Sequence, residues 1–193
     1  MKKRLIMTLG LTLSLFLVFS AGLAQAQEGT EATQEEQNKI LLILGCAIAI
    51  TIAGISAAIG LSFAGSAGVA VTAEKPNLFG KLLVLSVLPM TQAVYGLLTA
   101  ILLMLGAGLL GGAARADMSS PVLGSAAVWI GLIVGLTGIS AINQGMVASS
   151  SISAVGRNPD VAARGIIFTV MTETIAIFGL LAGILLMTGL GLL

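Results

Sequence analysis

The sequence predicts an all-α membrane protein built as two tandem transmembrane helical hairpins, four membrane-crossing helices in all. Three observations carry that prediction. The 193 residues are 57% hydrophobic and only 9% charged, against about 25% charged in an ordinary soluble domain, so too few charges exist to clothe a water-facing surface. The charges are segregated as well: eight of the 17 lie in the first 39 residues, and long uncharged runs fill the remainder. The second half of the chain also repeats the first at an offset of 83 residues.

The opening residues read as a targeting segment. Lys2-Lys3-Arg4 is a basic n-region, Leu5 to about Ala21 an apolar core, and Ala24-Gln25-Ala26 a small-x-small cleavage site. Residues 1–26 are therefore expected to be a signal peptide or, because the apolar core is long for one, an uncleaved anchor helix. Both readings keep the basic end in the cytoplasm and put 27–39 outside. That stretch, QEGTEATQEEQNK, is acidic and polar, and is expected to be a flexible lead-in.

The first hairpin is assigned to 40–111. Residues 40–73 carry no charge, Glu74-Lys75-Pro76-Asn77 makes a tight polar turn, and Leu82 to Ala114 is again uncharged. Arg115 and Asp117 bracket an outer loop, 112–120. The second hairpin, 121–193, has the same plan: an uncharged run to Gly156, the turn Arg157-Asn158-Pro159-Asp160, and a last run from Gly165 whose one charge is Glu173. Each run exceeds the ~20 residues that cross a bilayer. Four crossings from an outer start leave both turns in the cytoplasm and both termini outside. Lys75, Lys81, Arg157 and Arg164 then lie inside against Lys39 and Arg115 outside, in keeping with the positive-inside bias.

Composition also excludes functions. There is no histidine, and the one cysteine, Cys46, sits within an apolar run, which removes His-based catalysis, Cys/His metal centres and disulfides. Net charge is +1 with no basic cluster beyond the first four residues, so nucleic acid is not an expected partner. No G-x-x-x-x-G-K-[ST] loop is present to hold a nucleotide, and no catalytic site is expected on this chain.

The repeat is ungapped through turn and helix. Pro76 maps to Pro159, Thr91 to Thr174 and Gly96 to Gly179, and 95–110 matches 178–193 at 11 of 16 positions. Two stripes of small residues at i+4 spacing follow the same offset: Gly54, Ala58, Ser62, Ser66 and Ala70 in the first run, and Thr137, Ala141, Gly145, Ser149 and Ser153 in the third. Small residues let helices approach closely in lipid. The stripes predict an inner layer of the first and third helices, with the Leu-, Ile- and Met-rich second and fourth outside.

Glu173 lies roughly 13 Å into the last helix at 1.5 Å per residue, near mid-membrane. An ionisable side chain there by default marks an ion or substrate path; a protonated structural glutamate is the plainer alternative. Leu88, Thr91, Gln92 and Tyr95 share one face of the second helix at i, i+3, i+4 and i+7. Pro89 removes a backbone donor there and loosens the ladder. Gln144 adds an amide from the third helix. Singly, these polar groups read as interhelical glue; with Glu173 they form an oxygen-rich set at one depth. Met90 stands where the repeat would place a second glutamate.

LPMTQAVYGL (88–97), GISAINQG (138–145), RNPD (157–160) and MTETIAIFGL (171–180) resemble the membrane-rotor proteolipid, subunit K, of V-type and archaeal-type rotary ATPases in its double-hairpin form. The resemblance covers about 40–193. It implies a homo-oligomeric rotor ring of identical copies in the cytoplasmic membrane of a prokaryote, turning in lipid against a stator membrane subunit, with central-stalk subunits at loops 74–77 and 157–160. It implies that Glu173 carries the ion. In sodium-translocating members the ligands correspond to the Leu88 carbonyl, Thr91, Gln92, Gln144 and Glu173, with Tyr95 hydrogen-bonded to the carboxylate. No cofactor is implied beyond the transported Na⁺ or H⁺. Four neutral oxygen groups around one carboxylate suit a hard monovalent cation better than a proton, which makes sodium the first expectation and protons the second. The rival from another class is a small duplicated-hairpin secondary transporter coupled through Glu173. A carrier of aromatic or drug-like substrates would need aromatic walls, and this chain has only eight aromatic residues.

Overall fold

Thr33-Gln-Glu-Glu36 sets the start of the first helix. In the computed structural model, which describes residues 33–193, the Thr33 hydroxyl accepts from the Glu36 backbone N–H and the Glu36 carboxylate accepts from the Thr33 N–H, a reciprocal capping box. Helix α1 therefore runs Gln34–Glu74, 41 residues, and begins inside the stretch expected to be a flexible lead-in. Lys39 pairs with Glu35 at 2.7 Å one turn away. The expected signal peptide, its cleavage site and residues 27–32 of the lead-in lie outside the described residues.

Each polar turn is opened by its proline. Pro76 starts a 3₁₀ turn, Pro76–Leu78, that leads into α2, Phe79–Val87; Pro159 starts Pro159–Val161, which leads into α6, Ala162–Met171. Between them come α3, Thr91–Gly106, α4, Leu123–Thr137, and α5, Ser140–Arg157; α7, Thr174–Gly189, ends the chain. The α2 and α3 helices are two halves of one span, joined through the 3₁₀ segment Leu88–Met90 around buried Pro89. The α4 and α5 helices are joined through Gly138-Ile139. Three helical stretches are long and apolar enough to cross a membrane, 34–74, 76–106 and 123–157; the fourth is the α6–α7 pair, bent by 40° at Thr172-Glu173. Helix α3 stops at Gly106, short of the expected 111, because Gly108, Gly111 and Gly112 take positive φ and turn the chain into the loop.

Helix α1 is the unbroken spine. Gly45 lies against Ala127 and Gly131 of α4, so closely that a Cβ on Gly45 or Gly131 would overlap the carbonyl opposite. Gly60 meets α5 at Ala141 and Gly145 in the same way. The first hairpin closes where Gly96 of α3 faces Ala49 and Ala53, and the second where Gly179 and Gly183 of α7 face Thr137 and Val134. Close approach without side chains is how helices gain dispersion contact in lipid. The first and third spans thus meet at the centre, and the second and fourth flank them.

The two small-residue stripes take different positions. Ala141 and Gly145 are buried against α1, with Thr137, Ser149 and Ser153 half-buried beside them. On α1, Gly54 is half-buried, and Ala58, Ser62, Ser66 and Ala70 are exposed in the single chain; the face α1 turns inward instead carries Ala49, Ala53, Ala57, Gly60, Ala64 and Gly68.

Two apolar clusters bracket the middle of the molecule. One, near the 107–122 loop, gathers Leu42, Leu103, Leu123, Ile130 and Met187. The other, near the polar turns, gathers Leu78, Leu82, Leu85, Ile152 and Val155. Asn38, fully buried, holds the loop to α1: its amide donates to the Met118 and Ser120 carbonyls at 2.9 and 2.7 Å, and its oxygen accepts from the Gly124 N–H at 3.0 Å. At the other end, Lys75 of the first turn donates to the Gly156 carbonyl and Lys81 of α2 to that of Pro159, so two cations of the first hairpin sit on carbonyls at the end of α5 and in the second turn.

Candidate ion-binding site

Between the two apolar clusters the three broken spans bring one polar group together. Around Pro89 the backbone tightens to 3₁₀, and the Leu88 carbonyl accepts from the Thr91 N–H. Pro89 itself rests on Gly60 of α1, where a Cβ would come within 2.9 Å of the proline Cβ. That contact sets the level of the break and presents Thr91, Gln92 and Tyr95 on the side facing α5 and α7. Gln144 is placed by its neighbour: Gly145 is pressed against Gly60, so the adjoining side chain must enter the space between the spans. Glu173 stands at the bend of the last span, the residue before α7 begins.

The side chains form one hydrogen-bonded chain across three spans. The Tyr95 hydroxyl donates to Glu173 Oε1 at 2.6 Å, and Gln144 Nε2 donates to Glu173 Oε2 at 3.3 Å. Gln92 Nε2 donates to Gln144 Oε1 at 2.8 Å. The Thr91 hydroxyl lies 3.0 Å from the Leu88 carbonyl and 3.2 Å from Gln92 Oε1. Gln92 and Gln144 are fully buried, and Glu173 is 7% exposed. All six residues singled out from the sequence, Leu88, Thr91, Gln92, Tyr95, Gln144 and Glu173, therefore lie in one constellation.

Counting donors shows what it can do. Both Glu173 oxygens accept, and a carboxylate has capacity for about four such bonds. Thr91 has one hydroxyl proton for two oxygens, so the Leu88 carbonyl or Gln92 Oε1 is always left with a free lone pair. The group is rich in acceptors and short of donors, the complement of a cation that would satisfy several oxygens at once.

Three contributors were not read from the sequence. Thr99 donates its hydroxyl to the Tyr95 carbonyl at 2.9 Å and stiffens the turn that carries the phenol. The hydroxyl oxygen of Ser140, one turn before Gln144 on the same side of α5, is enclosed without a partner among the described residues. The bend at Glu173 is held by hydroxyls: Thr172 donates to the Thr169 carbonyl at 2.7 Å and Thr174 to that of Met171 at 2.8 Å. The cluster of threonines about one glutamate is the signal that would have revealed it, since back-bonding hydroxyls bend helices.

Comparison with known proteins decides the family. The family model for the C subunit of ATP synthase matches twice, over residues 44–103 and 128–186. The chain belongs to the ATP synthase C-subunit family. The doubled match coincides with the internal repeat and bears out the double-hairpin architecture. Subunit K of the A-type ATP synthase of Methanocaldococcus jannaschii is 47% identical over 140 residues, 72% of this chain and 60% of the relative. The chain thus spans about three fifths of that relative's length. Subunit K of the V-type sodium ATPase of Enterococcus hirae is 36% identical over 148 residues, 76% of this chain and 90% of the relative. The resemblance to the proteolipids of V- and archaeal-type ATPases is borne out by both, and the apolar helices make this family member an integral membrane protein.

Proposed function

We propose that the chain is the ion-carrying subunit of a rotary ATPase, assembled as a ring of identical copies, and that it carries Na⁺ on Glu173. The observation that carries the reading is the hydrogen-bonded chain of Leu88, Thr91, Gln92, Gln144 and Tyr95 converging on one buried mid-span carboxylate. Thr91, the Gln92 and Gln144 amides and the Leu88 carbonyl supply neutral oxygens, and Glu173 supplies the one negative charge that balances one cation. Tyr95 holds the carboxylate in place. The sodium ATPase relative supports Na⁺ over H⁺.

Rotation follows from desolvation. With its cation aboard, the site is neutral and can face lipid; emptied, the carboxylate is a bare mid-membrane charge and needs a polar stator surface. That difference gates the ring in one direction. The chain performs no catalysis itself and serves a complex that hydrolyses or makes ATP. The turns 74–77 and 157–160, tied together by Lys75 and Lys81, are the surface assigned to the central stalk. The expected location is a prokaryotic cytoplasmic membrane with these turns inside and both termini outside.

A carboxyl-reactive carbodiimide tests the ion. The reagent needs the protonated acid, and bound sodium displaces that proton, so Na⁺ should protect Glu173 from labelling at constant pH. Labelling that follows pH and ignores added sodium would replace Na⁺ with H⁺.

A further inference from the structure

One polar group beside the site has no bond of its own. The Ser140 hydroxyl oxygen is enclosed without a partner among the described residues, and an enclosed hydroxyl left unsatisfied is destabilising. The break in the third span explains it. Elsewhere in these spans a hydroxyl returns to the carbonyl one turn earlier: Thr99 to Tyr95, Thr137 to Ile133, Ser153 to Ser149 and Thr169 to Gly165. For Ser140 that carbonyl belongs to Leu136, and the tightened turn at Gly138-Ile139 gives it to the Ile139 N–H at 3.1 Å. The Gly138 carbonyl takes the Ala141 N–H, also at 3.1 Å. Ser140 therefore enters α5 with its hydroxyl unused, one turn from Gln144.

Gln144 is the group that Ser140 can serve. Long side chains on a helix lean toward the turn before their own, which for Gln144 is the turn of Ser140. As the bonds stand, Gln144 turns its nitrogen to Glu173 and its oxygen to Gln92. A cation on Glu173 needs the oxygen there, because an amide N–H repels a cation and only the carbonyl oxygen can ligate it. The bond from Nε2 to Glu173 Oε2, 3.3 Å, is the longest of the set and the easiest to give up. A nitrogen that leaves the carboxylate requires another acceptor inside an apolar bundle, and Ser140 Oγ is an unused one a turn away. Gln144 Oε1 has two lone pairs, so it can keep the Gln92 N–H on one and present the other to the ion.

We infer that Ser140 is a positioning residue of the ion site: its hydroxyl accepts from Gln144 Nε2 and holds the amide with Oε1 toward the cation. The inference rests on the sodium reading and adds the group that turns Gln144 from a donor to the carboxylate into a ligand of the ion. The repeat supports the pairing. At the 83-residue offset Ser140 and Gln144 fall on Ala57 and Leu61: where the amide is absent, so is the hydroxyl that would hold it. Ala57 is 2% exposed, so a methyl group fills that place in the packing and the Ser140 oxygen is not required for shape. A hydroxyl that only braces its helix is kept instead: Ser86 and Thr169, at the same offset, bond the Leu82 and Gly165 carbonyls.

Carbodiimide labelling of Glu173 in rings of the full-length chain tests it, read across a sodium titration at fixed pH and across pH in sodium-free buffer. Ser140→Ala should raise the sodium concentration that half-protects Glu173 about two- to tenfold, the loss of one neutral hydrogen bond. The pH midpoint without sodium should stay where it is, because a proton on Glu173 does not need the Gln144 oxygen. Ser140→Cys, which fills the same space with a poor acceptor, should behave as Ser140→Ala does, and Ser140→Thr, which keeps the hydroxyl, should restore the original sodium requirement. In rings that carry Gln144→Leu, Ser140→Ala should add nothing, since the amide it holds is gone. Sodium protection unchanged in both Ser140→Ala and Ser140→Cys overturns the inference. So does an equal sodium shift in the Gln144→Leu ring, or a pH midpoint that moves as far as the sodium requirement. Each of these leaves the sodium reading standing; sodium that fails to protect the unaltered ring overturns both.

Discussion

Removing the amide bridge tests the site as a network. Gln144 is the hinge of the chain: it accepts from Gln92 at 2.8 Å, donates to Glu173 at 3.3 Å, and is fully buried. Gln144→Leu keeps the volume, and the repeat places Leu61 at the equivalent position of the first hairpin, so a helix of this register tolerates leucine there. A hydrogen bond to a charged group contributes about 1.5–3 kcal/mol. Loss of one neutral ligand should therefore raise the half-saturating sodium concentration for ATP hydrolysis roughly ten- to a hundredfold, at about 1.4 kcal/mol per decade. Gln92→Leu should cost a similar factor. The double variant decides the reasoning. Because each amide orients the other, losing the first already misplaces the second, and groups in one network couple by about 0.5–3 kcal/mol. The double loss should fall short of the product of the single losses by about fivefold, near 1 kcal/mol of coupling. Unchanged melting of the ring serves as the control for folding. Single losses that multiply without coupling would show that the two amides act independently, and an unchanged sodium requirement in Gln144→Leu would remove it from the site.

Further expectations follow from the same geometry. Glu173→Gln should leave rings intact on native gels while abolishing sodium uptake into vesicles and coupled ATP hydrolysis, since no charge remains to balance the ion. Gly60→Ala would set a methyl group onto the Ala141 carbonyl and Pro89, and overpacking of this kind costs about 1–3 kcal/mol; thermal melts in detergent should show it, with Gly54→Ala, which meets nothing within 4 Å in the chain, as the quiet control. Ala58→Leu should give helical chains that fail to assemble, and Gly145→Leu should damage the chain itself, a distinction that circular dichroism combined with native mass spectrometry resolves. Asn38→Leu should strip three hydrogen bonds from the 118–124 segment and speed proteolysis of the 112–120 loop.

What was legible in the sequence were features with a local cause or an exact repeat. Pro76 and Pro159 announced the turns, the uncharged runs the spans, and the 83-residue offset the duplicated architecture. The site was legible because polar side chains are so rare in these runs that a helical face carrying Thr91, Gln92 and Tyr95 stands out, as do Gln144 and Glu173 on the spans opposite. Elements that depend on partners were hidden. Thr33 and Glu36 form a cap only once the helix exists, so the polar lead-in concealed a helix start. Asn38 looked like one more polar residue of that lead-in, yet three of its four bonding partners lie 80 or more positions away. Of the two stripes, the one in the third run packs inside the chain at Ala141 and Gly145, and the one in the first run is exposed there from Ala58 to Ala70. Which one lies inside the chain and which outside depends on the rotation of α1, and period-four spacing alone does not fix it, since Ala49, Ala53 and Ala57 are an equally good stripe on another side.

The broken spans explain why the polar set occurs at one level. Helix α1, which packs against both halves of the third span, is continuous through that level; the other three spans loosen at Leu88–Met90, at Gly138-Ile139 and at Thr172-Glu173. An ideal helix in lipid consumes all its carbonyls internally, and a rigid ladder leaves nothing to offer an ion. Loosening a helix costs stability unless other groups satisfy the freed backbone. At the bend of the last span threonine hydroxyls contribute, Thr172 on the Thr169 carbonyl and Thr174 on that of Met171, while at the proline break the Leu88 carbonyl takes both the Thr91 N–H and its hydroxyl. The last span makes its bend without a proline, where the second makes it with one, so the break belongs to the shared backbone plan of the hairpins rather than to Pro89. The same plan serves both hairpins; Met90 and Glu173 decide which break carries a carboxylate and which a methionine.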